Sequence, residues 1–131
     1  MEKRSAHRLP RRKDIVFAEL LKVMPSVVIF DVLTDPENYR YRLVGTKVRE
    51  NTFEDYTGRL LSDLDGKGPG SQIWKHLNTV KQEREPLFCE IPYVGPKEGL
   101  LRASLLFLPL ADDHENTDMV FLVVSFHKNL S

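Results

Sequence analysis

Apolar and polar positions divide the chain into a short series of elements. Phe17, Leu20, Leu21 and Met24 recur at helical spacing. Asp14 can cap the start of that segment and Pro25 stops it. The pattern predicts an amphipathic helix over 14–24 with one apolar face that needs cover. Residues 27–33 are a nearly continuous apolar run interrupted by Asp31, which predicts a strand buried on both faces. Residues 34–38 carry turn chemistry. In residues 39–43, Tyr39, Tyr41 and Leu43 alternate with Arg40 and Arg42, the period of a strand with one wet face. The two strands read as an antiparallel hairpin that Gly45 ends.

Residues 46–65 have no sustained period, and their scattered apolar residues suit short helical turns packed over a sheet. The stretch 66–70 holds three glycines and a proline and breaks the chain. Ser71 can cap a second helix running to about Glu83, with Ile73, Trp74, Leu77 and Val80 as its apolar stripe and Pro86 beyond its end. Three more strands follow, near 87–93, 101–110 and 119–126, and the acidic loop 111–118 is a hairpin tip. Strand runs separated by a helical middle predict an α+β domain with an antiparallel sheet, one face covered by the helices.

The inward phase follows from the charged positions. With Arg40 and Arg42 in water, Tyr41 and Leu43 face the helices. With Glu90 outward, Cys89 and Ile91 face inward. With Arg102 and Ser104 outward, Leu105 and Phe107 face inward. The last strand is apolar in both phases, so its inward side stays open. Trp74 and Leu77 descend from the long helix. These eight residues (Tyr41, Leu43, Trp74, Leu77, Cys89, Ile91, Leu105 and Phe107) line either an apolar cleft with a few polar handles or a filled core.

Composition narrows the classes. The chain has 131 residues, 41% hydrophobic and 29% charged, with zero formal net charge. That suits one soluble domain over 13–131 preceded by a basic arm over 1–12. The arm holds Lys3, Arg4, Arg8, Arg11 and Arg12, but the balanced total argues against nucleic acid as the partner. A single cysteine forbids an internal disulfide and fits a reducing cytoplasm. No segment approaches the apolar length of a membrane span, and no apolar stretch of signal-peptide type is expected behind the basic N-terminal residues.

Several stretches carry a family likeness: Leu9-Pro10-Arg11-Arg12-Lys13-Asp14, Met24-Pro25, Ile29-Phe30-Asp31-Val32-Leu33, Tyr39-Arg40-Tyr41-Arg42-Leu43-Val44-Gly45-Thr46 and Thr57-Gly58-Arg59-Leu60-Leu61-Ser62-Asp63-Leu64. In this order they resemble a family of compact, mostly single-domain PAS proteins common in alphaproteobacteria. The resemblance implies a five-stranded antiparallel sheet with helices over its concave face. It implies a sensory or signalling module that binds a small apolar or aromatic ligand between sheet and helices. Relay would pass through dimerisation or a partner protein, since the sequence holds no output module. The alternative is a ligand-free interaction or homodimerisation module with a filled core. The dimer contact would be the N-terminal helix, through Phe17, Leu20, Leu21 and Met24, or the outer face of the sheet.

Specific chemistry finds little footing. A flavin adduct would need Cys89 in an Asn-Cys-Arg-Phe-Leu-Gln stretch within the helical middle, but it lies on a predicted strand. Haem would need an axial histidine on the long helix. His76 is there, but at the edge of the apolar stripe. The four histidines are far apart in sequence, and the loop 111–118 lacks the calcium-loop pattern. Signatures for nucleophilic or metal-assisted hydrolysis are absent, so no enzyme activity is expected.

Overall fold

In a computed structural model, residues 22–111 and 117–128 are described. The basic arm, most of the helix expected over 14–24 (including Phe17, Leu20 and Leu21) and the centre of the acidic loop lie outside them. Of that helix, Lys22 and Val23 are helical, and the chain tightens into a 3-10 turn over Met24–Ser26 at Pro25.

The first strand, β1, is Val27–Leu33, and β2 is Asn38–Val44. A short helix, α1, spans Thr46–Glu50, and a 3-10 turn covers Leu61–Asp63. The long helix, α2, spans Gln72–Glu83. The chain closes with β3 (Leu87–Pro92), β4 (Arg102–Leu110) and β5 (Met119–His127). All pairings are antiparallel, in the order β2-β1-β5-β4-β3. The first hairpin therefore docks beside the last strand, and β2 and β3 form the two edges.

Local chemistry sets these elements. The Ser71 side chain accepts from the Trp74 backbone N–H at the start of α2, satisfying a donor the helix cannot. At its other end Arg84 turns left-handed, and its N–H bonds the Val80 carbonyl. Trp74, Leu77 and Val80, one helical stripe, are all buried against the sheet. Gly45 has no room for a side chain. A Cβ there would stand 2.6 Å from the Pro25 carbonyl oxygen and closer still to that of Met24. Its own N–H bonds the Val27 carbonyl at 2.7 Å, locking the end of β2 to the start of β1.

Two apolar layers result. The inner layer, under α2, contains Val28, Phe30, Tyr39, Tyr41, Phe107 and Leu122. The outer layer, on the opposite sheet face, contains Val27, Ile29, Leu110, Met119 and Phe121. The last strand, whose phase the sequence leaves open, thus turns Val120, Leu122 and Val124 inward and Met119, Phe121 and Val123 outward.

One phase is corrected. Leu43 was expected inward with Tyr41, but it packs in the outer layer. Phe30 pairs with Tyr41 while the preceding Ile29 pairs with Leu43, so Arg42 is an extra residue in β2. A bulge of this kind shifts the alternation by one and sends the following side chain to the other face.

Candidate ligand site

The inner hollow is where the sequence expects either a ligand cleft or a filled core. Tyr41, Trp74, Leu77, Leu105 and Phe107 are buried in its core, and Cys89 and Ile91 pack against it, half-buried. Leu43 does not take part. The remaining residues do not converge on one point either. Tyr41 lies on one edge strand and Cys89 and Ile91 on the other. Four strand spacings separate those edges, on the order of 19 Å. Side chains of α2 and the central strands fill the interval, with Leu77 and Phe107 wholly buried.

The β2 flank is an aromatic stack. Phe30 and Tyr41 lie 4.8 Å apart between ring centroids, and Tyr41 stacks on Tyr56 at 5.3 Å. Lys67, from the glycine-rich connector, places its amine over Tyr56, and burial lowers its pKa. Next to this stack, Tyr39 meets Trp74 edge to face at 5.1 Å, and its hydroxyl donates to Asn78 Oδ1 on α2. Burial pushes the Tyr39 and Tyr41 phenols well above their usual range, so both remain neutral donors. The alternation that selects Tyr41 also selects Tyr39, which the candidate set omits.

The β3 flank is looser and more polar. Cys89 Sγ lies 3.6 Å from His76 Nε2, and Gln72 Nε2 lies 3.5 Å from the same nitrogen. The His76 ring packs on Phe107 at 5.6 Å. Burial lowers the His76 pKa and raises that of Cys89, so thiol and imidazole are both neutral at rest. The two residues considered separately for haem and for a flavin adduct are therefore neighbours. Their thirteen-residue separation hides this in the sequence.

A third feature lies at the end of the sheet. A cleft of about 480 Å³ opens between α1, the β3–β4 loop and the end of β5, with Lys47, Lys97, Lys128, Glu50, Glu98 and Phe126 among its walls. It shares none of the eight expected residues. Its walls come from distant segments with no common motif, so no sequence signal marks it.

Among the described residues no helix is long and apolar enough to cross a membrane. A family model described as PAS domain matches residues 1–124. Among solved structures, the chain is similar to a sensory box sensor histidine kinase from Vibrio cholerae, with 18% sequence identity and a TM-score of 0.60. The match covers 86% of this chain and 90% of that one. No curated protein matches. The antiparallel order β2-β1-β5-β4-β3 with α2 lying in its hollow agrees with both findings. The chain belongs to the PAS domain family, a sensory and signalling fold.

Proposed function

We propose that this PAS domain is a non-enzymatic signalling module whose hollow is filled by its own side chains. It passes its message by contact with another protein, a second copy or a separate output partner, in the reducing cytoplasm. The observation that carries this reading is the complete burial of Leu77 and Phe107 within the hollow, with Tyr39 equally buried at its β2 flank. Interiors packed in this way leave no space for a ligand without repacking. The outer face supports it further. Phe88 stands 63% exposed on β3, beside the half-buried Leu106 it pairs with, an apolar surface of the kind that favours association.

A second reading, a small apolar or aromatic ligand bound on the inner face, is favoured by the β3 flank. There Ile73, His76, Cys89 and Ile91 are only half-buried, so that side of the hollow is incompletely closed. Native mass spectrometry of protein purified without denaturation separates the two. The first reading expects the bare chain mass and a dimer, or a co-purifying partner, whose fraction rises with concentration. A stoichiometric bound small molecule, or a compound class that raises Tm, replaces it with the second.

A further inference from the structure

The cleft at the end of the sheet stands apart from the hollow and is walled by charges of both signs. Its volume of about 480 Å³ lies in the range of small-molecule sites, about 300–1,000 Å³. Hydrogen bonds fix its walls. The Tyr93 hydroxyl donates to the Asn51 carbonyl at 2.8 Å and accepts from the Lys97 N–H at 3.1 Å, which ties the β3–β4 loop to the end of α1. Gly95 permits this approach, because a Cβ there would stand 2.5 Å from the Asn51 carbonyl oxygen and closer still to the Tyr93 hydroxyl. The Leu101 N–H bonds the His127 carbonyl at 2.8 Å, which ties the same loop to the end of β5. A site walled in this way is formed before any ligand arrives.

Lys47, Lys97 and Lys128 line the cleft together with Glu50 and Glu98, and all five are exposed. Among the described residues none of the five forms an ion pair. Leu100 and the half-buried Phe126, whose ring Tyr93 meets edge-on at 5.7 Å, add an apolar wall. A simple anion would leave the two carboxylates unanswered, and a simple cation would leave the three amines. We propose that the cleft binds an α-amino acid with an apolar side chain, as its zwitterion. The ligand carboxylate faces the lysines, its ammonium faces the glutamates, and its side chain lies on Phe126 and Leu100. Each charged contact is solvent-exposed and contributes little, so binding is weak, with a Kd on the order of 1 mM. A bound zwitterion bridges α1, the β3–β4 loop and the end of β5. The cleft lies outside the hollow, so a filled hollow and a loaded cleft are compatible.

L-Phenylalanine is the probe, titrated into the isotope-labelled full chain and followed by backbone amide NMR shifts. The expected result is saturable shifts at Asn51, Lys97 and Phe126, with the amides of His76 and Cys89 unmoved. N-Acetyl-L-phenylalanine lacks the ammonium and L-phenylalaninamide lacks the carboxylate, and each should bind at least about threefold more weakly. Lys97→Gln combined with Lys128→Gln should weaken phenylalanine binding by about five- to tenfold without weakening that of phenylalaninamide. Glu50→Gln combined with Glu98→Gln should weaken phenylalanine by about the same factor without weakening the N-acetyl derivative. All four positions are exposed, and the amide spectrum of each variant without ligand confirms its fold. The proposal is overturned by absence of saturable shifts at the cleft, or by shifts centred on the hollow. It is also overturned if N-acetyl-L-phenylalanine binds as tightly as phenylalanine, which would make the cleft an anion site only. None of these outcomes touches the contact-signalling reading, which native mass spectrometry of the unliganded protein tests independently.

Discussion

The two edges of the hollow are built differently, although both belong to one sheet and both contact α2. On the β2 side the strand edge is closed. Arg40 pairs with Leu60, the Tyr41 N–H bonds the Arg59 carbonyl, and the Gly58 N–H bonds the Tyr41 carbonyl. Asp31, buried on the outer face of the neighbouring strand, holds Arg40 at 3.1 Å and Arg42 at 3.0 Å. On the β3 side, one residue after another alternates between half-buried and exposed, and none is fully buried. An edge with paired backbone and fully buried, stacked aromatics resists opening, whereas an edge whose residues are at most half-buried opens at lower cost. We therefore assign stability to the β2 flank and responsiveness to the β3 flank.

The sharpest way to break this comparison is to cut one apolar side chain on each side. Phe30 is 1% exposed and touches the Tyr41 ring. Phe30→Ala should lower the unfolding free energy by about 3–5 kcal/mol. Ile91 is half-buried at the far edge, so Ile91→Ala should cost about 1–2 kcal/mol, below the usual range for a fully buried isoleucine. Urea denaturation monitored by Trp74 fluorescence measures both. Equal costs would end the assignment.

A second, smaller effect is expected at Asp31. Asp31→Asn leaves two guanidinium groups sharing a neutral amide. Arg40 and Arg42 are about half exposed (43% and 52% at the side chain), so solvent screens much of the loss. A destabilisation of about 1–2 kcal/mol is expected, less than for breaking a fully buried pair. It should shrink as salt rises. A loss under a few tenths of a kcal/mol would mean the ion pair is incidental to the closed edge.

The Ser71 cap serves both flanks, because α2 spans them. Ser71→Ala should cost about 1 kcal/mol through the lost bond to the Trp74 N–H. The loss should appear in hydrogen exchange as faster opening of the first turn of α2 and of β3, with β1 unchanged. Uniform acceleration would show that the two edges open together.

The comparison also explains what could be read from the sequence. Element order, the cap at Ser71, the stripe Trp74–Leu77–Val80 and the inward phases of β3 and β4 rest on local periodicity, and local periodicity is visible in a single chain. The phase of Leu43 was not visible, because a bulge adds one residue without leaving a turn signature; Arg42 looks like any other outward arginine. The phase of β5 was not visible either, because two apolar layers, one on each side of the sheet, erase its alternation. The Cys89–His76 contact needs the position of α2 over β3, a tertiary fact, and neither residue has a motif to announce it.

The smallest predicted effect tests the β3 flank through protons alone. Burial holds the His76 pKa below its ordinary value of 6.5 in the folded chain, whereas the unfolded chain keeps that value. Between the two, the unfolded state binds more protons, so stability rises with pH across that window. Lowering the pH from 7.5 should therefore leave stability unchanged until about the unfolded pKa of 6.5 and then erode it. In the folded state, protonation would also remove the acceptor that Nε2 offers the Cys89 thiol. His76→Gln should remove this component, flattening the urea midpoint between pH 7 and pH 5.5, near the range where only histidine titrates at its ordinary pKa. The change is small because the ring is partly solvated. Its diagnostic value lies in location. The acid-sensitive loss should be confined to α2 and β3 in hydrogen exchange, while β1 and β2 keep their protection. Acid-induced opening that began at β2 would reverse the roles of the two edges.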